Sequence, residues 1–118
     1  VSERTVLAVV ALGGGIGGAA RYALTAGTPP WGTFAVNVLG CALIGVLVVL
    51  ADDAHPLVRP FLGVGVLGGF TTFSAYAADA RGLVGVPWIA ALYLLGTLVT
   101  CLTATAAAVA LTRRAVRR

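Results

Sequence analysis

Asn37, in "GTFAVNVLG", and the stretch "GGFTTFSAY" at 68–76 place polar and ring-bearing side chains inside long apolar runs. An asparagine at such depth either bonds a neighbouring helix or offers its N–H donors to an anion. In the second stretch, two glycines, two adjacent threonines, two rings three apart and a serine interrupt a run otherwise suited to crossing a membrane. Interrupted backbone at membrane depth is tolerated only where protein or a wet cavity covers it, and ion sites are often built from it. A third set, Tyr93, Thr97, Cys101 and Thr105, recurs every four residues along one slowly drifting helical face, with Thr100 and Thr103 off that line. Such hydroxyls either bond back to their own helix or form a ladder along which a partly dehydrated ion moves stepwise. This is the chemistry of coordination, not of bond breaking.

The remaining polar residues support that distinction. No Glu, Lys or His falls near the middle of an apolar run, and Arg21 and Asp79 lie toward the ends. No Ser-His-Asp set, metal-ligand cluster or phosphate loop is present. The run "GGGIGG" at 13–18 has a dinucleotide-like glycine spacing, but it lies mid-span with no strand before it. An enzyme is not expected.

The elements that must position these groups follow from composition. Of 118 residues, 59% are hydrophobic and only 10% charged, against about 25% charged in soluble domains. A water-facing surface cannot be made from this sequence. The length allows a single domain, 1–118, of four spans of roughly 20 residues each. The expected spans are about 4–26, 33–51, 57–84 and 87–111. Pro29 and Pro30 end the first, "DDAHP" ends the second, and Pro87 opens the fourth as a first-turn proline. Trp31 and Trp88 fall at span ends, where aromatic belts form. The apolar run from the start through Leu24 is too long for a signal-peptide core.

A straight third helix would reach about 42 Å, against a hydrocarbon core of about 30 Å. A break at "GGFTTFS" resolves that mismatch. Gly14 with Gly18, and Gly65 with Gly69, have the G-x-x-x-G spacing of close helix contacts. They either pack one four-helix unit or serve a dimer whose third spans cross at their breaks. All eight basic residues are arginine, four of them in "TRRAVRR". That tail reads as a cytoplasmic interfacial anchor rather than a nucleic-acid contact. Cys41 and Cys101 sit in apolar runs and imply no disulfide framework. His55 lies in a polar turn and is expected to be solvated.

"GGGIGGAARY" in the first span, "WGTFAVNVLG" in the second and "GGFTTFSAY" in the third, in this order and spacing, resemble the Fluc (CrcB) family of small fluoride channels. The fourth span is compatible through its polar face. The resemblance implies an all-α integral membrane protein, its third helix broken near the middle, working as a dual-topology antiparallel dimer. It implies two fluoride pores at the dimer interface, exporting fluoride passively from the cytoplasm through the inner (plasma) membrane. By that resemblance Phe73 and Tyr76 take the places of paired phenylalanines lining the pores, and Asn37 that of the pore asparagine. Tyr93, Thr97 and Cys101 lie where the polar track runs. The carbonyls of Gly68 and Thr71 fall where the family holds a central structural sodium ion, and Arg21 lies near one vestibule. An aromatic ring is positive at its edge, so ring edges could replace part of an anion's hydration. Tyr76 stands where a second Phe is usual, Ala75 where Thr is common, and Asp79 where Glu is usual. Cys101 is a weaker donor than Ser or Thr.

Two rival readings share the four-span architecture. A small multidrug-type, proton-coupled transporter needs a membrane-embedded carboxylate in its first span, and Glu3 at the very edge is the only acid there. A non-conducting membrane subunit would merely pack against others. Charge bears on the dimer itself. Four spans put Arg4, Arg59, Arg113, Arg114, Arg117 and Arg118 on one side, against Arg21 and Arg81 on the other. Arginine bias of this kind orients the richer side toward the cytoplasm, whereas an antiparallel homodimer needs both insertions. The imbalance, with Tyr76 in a pore position, leaves two arrangements open: a homodimer, or a chain of fixed orientation in a heterodimer with a similar, oppositely inserted one. Reporter fusions after Arg118 decide between them: signal from the cytoplasmic face alone is expected of the heterodimer, and signal from both faces of the homodimer.

Overall fold

The computed structural model describes residues 1–28 and 30–117, so the Pro29 stop and the Arg118 charge invoked above lie outside it. Every regular element among the described residues is helical, and four stretches are long and apolar enough to cross a membrane. Helix α1 (Glu3–Thr25) is capped by the Ser2 hydroxyl, which accepts from the Thr5 N–H at 3.2 Å. It ends at Gly27, whose φ of +76° is the left-handed turn that glycine makes without a Cβ clash. Helix α2 (Trp31–Leu50) starts at Trp31 rather than the expected Thr33 and closes through a 3-10 turn, Ala51–Asp53.

The third stretch is the irregular one. It opens as a π-helical segment, Arg59–Leu67, after which the Gly68 N–H reaches back five residues to the Gly63 carbonyl. A single α turn, α3 (Gly68–Phe70), follows. Thr71 and Thr72 are extended, with φ/ψ of −84°/156° and −151°/125°. Helix α4 (Phe73–Gly82) then resumes. Helix α5 (Pro87–Arg117) runs beyond the expected end at Leu111. Its 31 residues span about 46 Å, more than the roughly 30 Å of hydrocarbon, so its basic end stands clear of the apolar zone.

The helices pack chiefly as two pairs: α1 against Arg59–Leu67 and α3, and α2 against α5. Glycine sets both. A Cβ on Gly13 would lie 2.9 Å from Gly65 Cα, and one on Gly17 would overlap the Val66 carbonyl and approach Phe70 N to 2.8 Å. Gly13 and Gly17, rather than the expected Gly14 and Gly18, therefore form the bare face of α1. A Cβ on Gly14 would meet nothing within 4 Å, although Gly69 does pack against the Gly14 carbonyl and the Gly18 nitrogen. The α2–α5 contact is comparable: a Cβ on Gly45 would come within 2.6 Å of the Thr105 carbonyl. Lipid tails are as apolar as leucine, so such close backbone approach, not hydrophobic burial, holds membrane helices together. Accordingly no large side chain is fully buried among the described residues, and Leu92, Leu95, Val99 and Leu102 face outward.

Gly17→Ala is expected to weaken the α1 packing by about 1–3 kcal/mol, the usual cost of overfilling a close contact. Gly15→Ala, where a Cβ meets open space, should be neutral or gain up to about 1 kcal/mol from helix propensity. Denaturant titration of helicity in detergent micelles compares the two; equal losses would show that the glycine face is misassigned.

Candidate functional site

The site is built around the extended pair Thr71–Thr72. A continuous helix would send the Thr72 N–H to the Gly68 carbonyl and the Ala75 N–H to the Thr71 carbonyl. Here the Thr72 N–H instead donates to Asn37 Oδ1 at 2.8 Å. The Ala75 N–H donates to Thr72 Oγ1 at 3.1 Å, an N-cap for α4. Both diversions release a carbonyl, and the two released are those of Gly68 and Thr71. The Gly69 carbonyl between them accepts from Arg21 Nε at 3.2 Å. Thr71 Oγ1 bonds back to the Leu67 carbonyl at 2.9 Å and so fixes its own side chain on α3.

Asn37 completes the exchange by donating from Nδ2 to the Thr72 carbonyl at 3.1 Å. Its amide thus pairs with a peptide unit as a neighbouring β-strand would. Of the two roles open to an intramembrane asparagine, bonding to a neighbouring segment is realised, and one Nδ2 proton is left over. Asn37 is only 8% exposed, so these bonds form away from water, where their loss is expensive.

An open cleft of about 390 Å³ runs beside this clasp, between α2, the Thr71–Thr72 break and α5. Its lining includes Asn37, Phe73, Tyr76, Thr97 and Cys101, together with Thr71. Most of the expected pore residues are therefore neighbours in space, though they come from three separate stretches of chain. Phe73 is 79% exposed and projects from the open side of the cleft. Its ring centroid lies 5.9 Å from that of Tyr76. The Tyr76 hydroxyl donates to the Leu94 carbonyl, tying α4 to α5.

Tyr93 stands at the margin of this cleft rather than along it. Its ring packs against Tyr76 at 5.4 Å and edge-on to Trp31 at 6.2 Å. With Trp31, Phe34 and Thr97 it lines a smaller hollow of about 190 Å³. The Tyr93 and Thr97 hydroxyls, on residues 3% and 4% exposed, have no hydrogen-bond partner among the described residues. Buried polar groups are seldom left so, and those that are often face an ion or water path. Thr105 leaves the ladder: its hydroxyl donates to the Cys41 carbonyl at 2.9 Å, joining α5 to α2.

Two cleft residues with polar or thiol side chains, Thr72 and Cys41, escaped the sequence reading as site residues. Thr72 was legible as a threonine just before a helical run, an N-cap signal. Cys41 follows Asn37 by four residues and so shares its helical face. His55 lies in the turn, as its surroundings suggest, accepting from the Leu57 N–H at 3.1 Å. Beside it, Arg59 pairs with Asp52 at 2.7 Å on an exposed surface.

Residues 8–109 match the family model described as "CrcB-like protein, Camphor Resistance (CrcB)". The chain belongs to the CrcB family. It is 58% identical over 107 residues to a Streptomyces avermitilis protein named "Fluoride-specific ion channel FluC 2", covering 81% of this chain and 68% of that one. It is 58% identical over 91 residues to the Streptomyces coelicolor "Fluoride-specific ion channel FluC 1", covering 70% of this chain but only 59% of that relative. An Agrobacterium fabrum protein named "Fluoride-specific ion channel FluC" is 44% identical over 119 residues, 91% of this chain and 95% of its own length. With four apolar helices, this CrcB family member is a multi-pass membrane protein.

Asn37→Ala should leave the Thr72 N–H without a partner, costing about 1–3 kcal/mol for that buried group. Hydrogen exchange at the Thr72 amide is expected to accelerate sharply in that variant while the α2–α5 amides stay protected. Unchanged exchange at Thr72 would show that Asn37 is not its partner.

Proposed function

We propose that the chain conducts fluoride passively across the cell's inner membrane, out of the cytoplasm, as one half of an antiparallel dimer. The observation that carries this reading is the shared cleft: Asn37, Phe73, Tyr76, Thr97 and Cys101 line one space beside broken helical backbone. The relatives' names, which specify fluoride, supply the ion.

The chemistry suits a small, strongly hydrated anion. The spare Asn37 proton and the unpartnered hydroxyls of Tyr93 and Thr97 are donors. The exposed edge of Phe73 carries partial positive charge and cannot deprotonate. No group along this path gives up a full charge, so an ion can be bound weakly enough to leave again. Tyr76 takes the position of a second ring, and Arg21, bonded to the Gly69 carbonyl outside the cleft lining, would raise the potential for anions near a vestibule.

A partner chain completes the arrangement. The cleft is open, and Phe73 has little of its own chain around it. A second chain, a copy of this one or a similar chain of opposite insertion, would cover that side and bring its own break against Thr71 and Thr72. Doubling the free Gly68 and Thr71 carbonyls would give four oxygens at the crossing. Carbonyl oxygens freed at helix breaks suit sodium, and a fixed cation there would offset the charge of nearby anions. These carbonyls fit that role because their helical partners are diverted to Asn37 and Thr72. Gly68 is where a side chain would crowd such a crossing.

Proteoliposomes loaded with fluoride test the reading. Efflux is expected with and without a pH gradient, because no midplane carboxylate couples protons. Phe73→Ile should lower the rate by at least about tenfold, which requires only 1.4 kcal/mol, while Tyr76→Phe, keeping the ring, should conduct. Efflux that needs the gradient would identify a proton-coupled transporter, and no efflux at all a non-conducting subunit.

A further inference from the structure

Cys41 and Cys101 are both free and half-buried, and both line the cleft. Cys41 stands one turn after Asn37 on α2, and Cys101 one turn after Thr97 on α5. The two helices are fixed at this level by the bond from Thr105 Oγ1 to the Cys41 carbonyl and by Gly45 lying close against Thr105. Both residues border the same cleft, at adjoining turns of the two packed helices. Thr97 adds a hydroxyl on the same cleft wall, on a residue 4% exposed and without a partner. Two thiol-bearing residues on packed helices thus border one open cleft.

We propose that Cys41 and Cys101 together bind one soft, thiophilic divalent cation, which then plugs the cleft. Thiolates select soft metals over hard ones. Among the described residues no third His, Cys, Asp or Glu joins them, so the pair fits an ion content with two ligands in line, such as Hg²⁺. A tetrahedral structural zinc site would need four ligands. Binding breaks two S–H bonds and forms two S–metal bonds, and the two protons pass to water. The product is neutral overall, which matters where a net charge is costly to bury. Thiols that merely fill space would bind such ions independently, each at its own site.

The plugging rests on the cleft being the fluoride path; the binding does not. Purified protein titrated with Hg²⁺ alone, followed by its near-ultraviolet thiolate band, should take up one ion per chain. Cys41→Ala and Cys101→Ala should each weaken that binding by roughly 10²–10⁴-fold, because the second thiol acts at high effective concentration. In proteoliposomes Hg²⁺ should stop fluoride efflux, a dithiol chelator should restore it, and either variant should resist the block relative to its own starting rate. Two ions per wild-type chain would overturn the proposal without any variant, as would equal affinity in the single variants. One shared ion in a protein that never conducts fluoride would support the thiol site and overturn the channel reading instead.

Discussion

The exchange of hydrogen bonds between the Asn37 amide and the Thr72 peptide is the interaction on which the rest of the structure turns. Inside a membrane a polypeptide must satisfy its peptide groups within itself, and a helix does so automatically. Extending Thr71 and Thr72 gives up that economy. One side chain from α2 takes the Thr72 N–H and carbonyl, and the Thr72 hydroxyl takes the Ala75 N–H in the first turn of α4. The carbonyls of Gly68 and Thr71 are left without their helical partners.

That clasp constrains everything around it. Asn37 can reach Thr72 only if α2 lies beside the break, and α2 is held there by Gly40 against Thr71 and by its close contact with α5. On the other side, Gly13 and Gly17 bring α1 against the strand of chain leading into the break, and Arg21 caps the Gly69 carbonyl. The π-helical winding of Arg59–Leu67 ends directly before α3. Small residues set the distances, and polar ones are spent where the backbone needs them.

Much of this was legible in the residues. Asn37 and "GGFTTFSAY" are conspicuous because apolar surroundings leave few explanations for a polar group. The four spans follow from hydropathy, and family membership came from three motifs in order. What the sequence hid was orientation. "GGGIGG" holds two four-residue glycine spacings about 100° apart on a helix, and nothing local chooses between Gly13–Gly17 and Gly14–Gly18. Residues four apart drift by about 40°, so Tyr93 turns toward Trp31 while Cys101 remains on the cleft wall. Thr105, in line with them by spacing, was drawn to the Cys41 carbonyl by the neighbouring helix. The π-helical turns have no sequence mark that distinguishes them from an α-helix.

The central claim is that Asn37 holds the third span open at Thr71–Thr72 in the membrane. Solid-state NMR of the protein in lipid bilayers, with ¹⁵N on the Asn37 side chain and ¹³C on the Thr72 carbonyl, measures it directly. The account predicts polarisation transfer between those two nuclei, together with extended-backbone ¹³C shifts at Thr71 and Thr72. Helical shifts running unbroken from Gly68 through Phe73, with no transfer from Asn37, would contradict it.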